Sequence, residues 1–216
     1  MRPNQLESLF KKSPLKHYPK RQVLIYEGDS PTSIYLLEKG YVKVYNILGS
    51  GAQRIIFIYG PGDTFPLTSF LSQAGVVRYF YETVTDVEVR ILPTAKLEQA
   101  LKNDIDTGEK LIRYTMEVNQ QFFQRIDTLA AKDARRKIVS LLLFLVSKAG
   151  TEGPDSKICV PLTSQDIADM CGLTRETASS QMQKLRNSGV VTGYKTLTIN
   201  MSKLDKLRKD TGIPEI

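Results

Sequence analysis

Residues 162–191, LTSQDIADMCGLTRETASSQMQKLRNSGVV, hold two helix starts and two helix stops in quick succession. Thr163 is an N-cap residue type. Asp166 stands three positions on, near the positive helix end, and Leu162 is placed to staple onto Ile167. That helix has little room before Cys171-Gly172-Leu173, where Gly172 supplies the left-handed backbone of a tight turn. Thr174 then caps a second helix, with Leu173 placed to staple onto Ala178. This helix runs to about Asn187 and stops at Ser188-Gly189. Two helices joined by a short glycine-containing turn are the helix-turn-helix arrangement. Beyond it, Val190-Val191 and Thr196-Leu197-Thr198-Ile199 flank Thr192-Gly193-Tyr194-Lys195, a hairpin suited to a wing.

The second helix turns Arg175, Glu176, Ser179 and Ser180 outward near its N-terminus. Arginine can fork onto guanine, glutamate can accept from the cytosine amino group, and seryl hydroxyls reach bases or phosphates. Residues at this end of a recognition helix meet base edges. On an isolated helix, Arg175 and Glu176 are most simply solvated surface charges. Within a capped helix-turn-wing pattern, on a chain with a formal net charge of +7, base reading is the expectation. The positive charge fits a polyanion partner and equally fits plain solubility.

Upstream, short strands follow one another from about Gln22 to Pro93. Val23 to Tyr26 end at Glu27-Gly28-Asp29, and Ile34 to Leu37 end at Lys39-Gly40. Tyr41 to Tyr45, Arg54 to Tyr59 and the run Tyr79 to Leu92 complete the set. Such spacing, with Gly and Asp at the breaks, predicts an antiparallel sandwich or barrel. From residue 104 the pattern turns helical, with Asp106-Thr107-Gly108-Glu109 spaced as a capping box. A helix to about Lys132 would be roughly 39 Å long. Leu111, Thr115, Val118, Phe122 and Leu129 form a coiled-coil-like seam interrupted by Arg125, read here as a dimer interface. Ile112, Met116, Phe123 and Ala130 lie beside it, placed to pack on the protein's own barrel. Asp133 can cap a further helix, Ala134 to Ser147, with Ile138, Leu141, Leu142 and Leu145 inward, before a loop at Gly150 to Asp155. The chain is thus of α+β class, with an antiparallel β-barrel domain at 1–103, a long dimerisation helix at 104–132 and a winged helix-turn-helix domain at 133–216.

The 216 residues suffice for two domains, and 41% hydrophobic with 25% charged residues is an ordinary globular balance. The most apolar run, Ile138 to Val146, falls far short of the roughly twenty residues of a membrane span. No signal peptide is evident, since Leu6, Leu9 and Phe10 are followed at once by Lys11 and Lys12. Cys159 and Cys171 fit no metal-ligand spacing and read as small buried residues, so a cytoplasmic location is expected. A single histidine, His17, leaves no Ser-His-Asp or Cys-His set, and neither a P-loop nor a zinc motif occurs, so catalysis is not expected.

The segment Leu162 to Val191, with Gln165, Gly172, Thr174-Arg175-Glu176-Thr177 and Leu185, closely resembles the helix-turn-helix of the Crp/Fnr regulators. The order of barrel, long helix and winged helix matches over nearly the whole chain, and Glu27-Gly28-Asp29, Lys39-Gly40 and Pro61-Gly62-Asp63 look like that family's barrel turns. The resemblance implies a cyclic-nucleotide-binding-like jelly roll and a bacterial homodimer on a roughly two-fold operator, touching RNA polymerase or blocking it. It assigns base reading to Arg175 and Glu176, and phosphate contacts to Ser164, Gln165 and Thr174. Thr177, Ser179, Ser180 and Lys184, with Tyr194 and Lys195 of the wing, complete the DNA-contacting set. Ser180 stands where the cyclic-AMP branch has a second base-reading arginine, and Gln181 where the family usually turns an apolar side chain inward.

That branch holds its nucleotide with a Gly-Glu pair and an Arg-Ser pair. Here Pro66-Leu67 and Arg78-Tyr79 stand instead, so cyclic AMP is not expected to bind in that mode. The N-terminus lacks the cysteines of an iron–sulfur site, and His17, in a lysine-rich arm, reads as a solvated residue and not a haem ligand, so no cofactor is expected. Phe65, Leu67, Phe70, Arg78, Tyr79 and Tyr81 are the candidate lining of a small-molecule effector pocket, or else barrel core. A different reading of the whole is a sensing or scaffold module whose winged helix binds protein; specific, salt-dependent duplex binding separates the two.

Overall fold

A computed structural model of the chain describes residues 6–72, 75–149, 157–160, 162–194 and 196–213, with backbone alone at 149 and 157–160. The chain divides into two compact units, Met1–Asn46 with Ile56–Asn119, and Ile47–Ile55 with Gln120–Ile216.

The chain opens with a short helix α1 (Glu7–Phe10) and the strands β1 (Leu15–Tyr18), β2 (Val23–Ile25), β3 (Ser33–Lys39), β4 (Val42–Ile47), β5 (Gln53–Tyr59) and β6 (Thr64–Phe65). After helix α2 (Leu67–Leu71), β7 (Phe80–Thr83) and β8 (Val87–Pro93) close the set. The sequence run Tyr79 to Leu92 is therefore two strands. They form two four-stranded sheets, β1-β8-β3-β6 and β2-β7-β4-β5. This is the strand order of a double-sheet jelly roll, not of a closed barrel. Alternation explains the burial: Ile34 and Leu36 on β3 point inward and pair with Leu92 and Arg90 of β8.

Aromatic rings fill the interior. Phe65 stacks on Tyr35, Tyr59 and Tyr81 with centroids 5.4, 5.2 and 5.4 Å away, and Phe57 meets Tyr59 edge-on at 5.0 Å. Such pairs add to area burial by about 0.5–1.5 kcal/mol each. Phe65, Tyr81 and Leu67 are buried, which fits the core alternative of the sequence reading. Phe70 is half-buried, while Arg78 and Tyr79 are exposed. His17 lies on β1 and is solvent-exposed, with Nδ1 3.9 Å from Glu88.

Helix α3 (Thr94–Asn103), which the sequence reading left unassigned, leads into the 26-residue α4 (Ile105–Ala130). The cap of α4 is Asp104, two residues before the expected box. Its carboxylate accepts from the Asp106 amide at 3.1 Å and the Thr107 hydroxyl at 2.6 Å, which holds it below the usual carboxylate range. Gly108 falls within the first turns and Glu109 caps nothing.

The two apolar stripes of α4 are exchanged relative to expectation. Leu111, Tyr114 and Val118 are buried within the chain itself. The Tyr114 hydroxyl accepts from the Thr64 amide at 2.6 Å and donates to the Thr64 carbonyl at 3.2 Å. Leu111 and Val118 therefore keep little surface for a second chain; Thr115 and Phe122 are half-buried and only Leu129 of the expected set is exposed. The exposed row is Ile105, Ile112, Met116, Phe123 and Ile126, the last four 53–63% exposed.

The second unit contains α5 (Ala134–Ala149), capped by the Asp133 carboxylate on the Arg136 amide at 2.8 Å, and a strand β9 (Lys157–Val160) that the sequence reading missed. Then come α6 (Ser164–Cys171), α7 (Arg175–Asn187), β10 (Val191–Thr192), β11 (Leu197–Asn200) and α8 (Met201–Asp210), the last also not anticipated. The strands form one sheet in the order β10-β11-β9. The core is supplied by Ile138, Leu141, Leu142, Phe144 and Leu145 of α5 against apolar residues of α6, α7 and α8. The expected loop at Gly150 to Asp155 lies outside the described residues. Among the described residues, no helix is long and apolar enough to cross a membrane, and no cluster of metal-ligating side chains occurs.

Candidate nucleic-acid interface

The site is built from caps. Thr163 accepts from the Asp166 amide at 3.2 Å, and Asp166 accepts in return from the Thr163 amide at 2.8 Å, so α6 starts with a reciprocal capping box. Leu162 and Ile167 are both fully buried beside it. The helix ends at Gly172, with φ +61 in the left-handed region, where a side chain would be strained. Thr174 starts α7 by accepting from the Thr177 amide at 3.2 Å. Each of these local features was legible in residues 162–174.

Between the caps, α7 buries Ala178, Met182 and Leu185, the i, i+4, i+7 row that faces α5 and α6. This row fixes what is left outside. Thr174, Arg175, Glu176, Ser180 and Lys184 are exposed, and Thr177 and Ser179 are half-exposed beside them. Gln181 is only half-buried, because Met182 takes the inward position. On α6, Ser164 is half-exposed, and Gln165 is exposed and donates to Asp169 at 2.7 Å.

The wing is fastened to α7 by Arg186, a residue that sequence reasoning passed over. Its Nε donates to the Gly193 carbonyl at 2.9 Å, and its guanidinium lies 4.1 Å from the centroid of the Tyr194 ring. Tyr194 remains 68% exposed. A Cβ on Gly193 would overlap the Thr196 carbonyl oxygen at a φ of +83, so the turn admits glycine alone. The signal in the sequence was an arginine seven residues before Gly193-Tyr194, too weak to use without the fold. Lys195 lies outside the described residues. Behind α6, the buried Arg125 guanidinium of α4 donates to the Met170 carbonyl at 2.7 Å and lies 5.8 Å from the Phe144 ring. Burial holds Arg125 below its usual pKa, and pushes the nearby Cys171 thiol up to about 12.

A rigid, capped helix end that displays an arginine, a glutamate and hydroxyls, beside a clamped aromatic turn, is suited to a grooved, hydrogen-bonding polyanion.

Comparison with known proteins agrees with this architecture. Residues 15–104 match the cyclic nucleotide-binding domain, and residues 136–209 match the Crp-like helix-turn-helix domain. The chain is 27% identical over 176 residues to the global nitrogen regulator of Synechocystis sp., covering 81% of this chain and 78% of that one. It is 28% identical over 179 residues to the HTH-type transcriptional regulator ArcR of Staphylococcus epidermidis, covering 82% and 77%. Among solved structures, FixK2 from Bradyrhizobium japonicum superposes with a TM-score of 0.78 at 25% identity, over 90% of this chain and 96% of that one. A CRP-family regulator from Thermus thermophilus shares the fold, with a TM-score of 0.73 at 23% identity over 91% and 96%. With both domains matched in this order and regulators of one kind on every side, the chain belongs to the Crp/Fnr family of transcription regulators.

Proposed function

We propose that the chain regulates transcription as a homodimer that reads a roughly two-fold DNA operator. The observation that carries this reading is the exposed N-terminal end of α7, where Arg175 and Glu176 stand clear of a helix whose opposite row is locked into the core. Arg175 reads guanine, Glu176 accepts from cytosine, and Thr174, Ser164 and Gln165 hold phosphates. The Tyr194 turn meets the flanking backbone. Dimerisation runs along the exposed row of α4, Ile112, Met116, Phe123 and Ile126, since a helix with this much uncovered apolar surface has a second partner to find. An isologous pairing of that row would present two copies of α7 to successive half-sites.

Cyclic AMP is not the effector in this reading. Leu67 is buried where a ribose-binding carboxylate would be needed, and Arg78 is followed by Tyr79. The activity is binding, not catalysis, in a cytoplasmic protein, with RNA polymerase as the downstream partner.

Selection of random duplex DNA by the purified protein, without added ligand, tests the proposal. Enrichment of a palindrome with salt-dependent affinity is the expected result. Sequence-blind recovery at every salt concentration refutes base reading by α7.

A further inference from the structure

Where α4 hands over to α5, the second unit surrounds a cavity of about 440 Å³, bordered by Gln124, Asp127, Lys132, Arg136, Ser140 and Phe144. Its size is that of a small-molecule site. Gln124 is turned away from the exposed row of α4, whereas Asp127 stands one turn beyond Phe123 and Ala130 one turn beyond Ile126. The cavity therefore borders the end of the proposed dimer seam. One wall is set by the C-terminal segment: Arg136 donates to the Gly212 carbonyl at 3.3 Å, and Arg208 to the Ile213 carbonyl at 3.2 Å.

The lining has a definite chemistry. Its accessible apolar lining is Ala130, Ala131 and Ile213, with the Phe144 ring fully buried. Its rim carries both signs of charge, the Asp127 carboxylate on α4 against Lys132 and Arg136 beyond it. Among the described residues Asp127 and Lys132 make no ion pair and the Ser140 hydroxyl no hydrogen bond. Charges of both signs around a cavity of ligand size, with Ala130, Ala131 and Ile213 in its lining, match a zwitterion with an apolar tail.

We infer that this cavity binds a free amino acid with an apolar side chain. The ammonium sits at Asp127, the carboxylate at Lys132 and Arg136, and the side chain lies against Ala131 and Ile213. The cavity adjoins the joint between the helix that bears the exposed row and the helix that backs the helix-turn-helix, a position from which occupancy would alter operator affinity. That consequence rests on the DNA reading above, but binding itself does not, so the test is made without DNA.

The experiment is calorimetric titration of the full chain with L-phenylalanine, 3-phenylpropionate, which lacks the amine, and phenethylamine, which lacks the carboxylate. Phenylalanine is expected to bind about tenfold more tightly than either analogue, because each analogue leaves one rim charge unanswered. Asp127→Asn, an exposed substitution, should bring phenylalanine and 3-phenylpropionate to within about twofold of each other. Ser140→Leu, which fills the cavity, should abolish binding while melting remains cooperative. Equal affinity for phenylalanine and 3-phenylpropionate in the unaltered protein overturns the inference. So does binding that survives Ser140→Leu, or no saturable phenylalanine binding up to about 10 mM.

Discussion

Phe123→Glu should separate the protein into monomers without unfolding it. Phe123 is 60% exposed in the single chain, so little of its ring supports the fold. Full burial of a phenylalanine is worth roughly 1.5–3 kcal/mol, of which about 1–2 kcal/mol remains to be gained at an interface. A two-fold seam counts each residue twice, giving about 2–4 kcal/mol per dimer before the cost of a buried carboxylate is added. The dimer dissociation constant should therefore rise by about 30-fold to 1,000-fold. Sedimentation velocity across a dilution series measures this, with a thermal melt as the check on folding. Val118→Glu is the contrasting case: Val118 is buried against its own chain, and a carboxylate there should lower Tm sharply. If Phe123→Glu self-associates as the unaltered protein does, the exposed row is not the seam and the reasoning from burial fails.

Arg175→Ala should weaken specific DNA binding by roughly 1–3 kcal/mol and relax selection at one base position; unchanged selectivity would remove it as a reader. Arg186→Ala, which releases the wing from α7, should cost about tenfold in operator affinity and erase hydroxyl-radical protection at the site's flanks while central protection persists; intact flanks would mean that the clamp does not position Tyr194. Thr163→Ala removes the capping box of α6 and should lower stability by about 0.5–2 kcal/mol in urea denaturation. In a Cys159→Ser background, native Cys171 should resist a thiol reagent at pH 9. Burial raises its pKa to about 12, so the folded state keeps a proton that the unfolded chain releases near pH 8.5. The corresponding stability is full below about 8.5 and is lost as pH rises through about 12. Reaction at the rate of a free thiol would refute its burial.

The helix-turn-helix was legible because its determinants are local. A threonine cap, a left-handed glycine and a second threonine cap each act within a few residues, and each was found where residues 162–174 placed it. Strands β2 to β5 and the run holding β7 and β8 were legible from alternation and glycine breaks, whereas β1 and β6 were not, and the partition into two sheets depends on pairing between distant segments such as β1 with β8. Helices α3 and α8 were missed because their apolar faces are slight: α3 buries only Leu97, and α8 buries Leu204 and Leu207 with Arg208. Strand β9 was missed because a four-residue run identifies itself only by pairing with β11. Phe65 and Tyr81 show the limit for binding sites, since an aromatic run reads alike as a pocket lining and as a stacked core.

The exchanged stripes of α4 could have been resolved from one residue. Arg125 lies on the stripe first assigned to the seam. In an isologous interface, a residue near the axis faces its own copy. Two Arg125 side chains would then place like charges together in a desolvated seam, with no carboxylate on that stripe to offset them. Within one chain the same side chain meets a different environment. It takes the Met170 carbonyl near the C-terminal end of α6, where the helix dipole favours a cation, and it borders the Phe144 ring. A lone cation on an apolar stripe therefore argues for an asymmetric, intrachain neighbour. By elimination the uncharged row Ile112, Met116, Phe123 and Ile126 is the one free to meet itself. Arg125→Leu supplies the check: if the cation serves the helix-turn-helix and not the seam, its loss should lower the melting temperature and leave self-association unchanged. Tighter dimers with an unaltered melt would restore the original assignment.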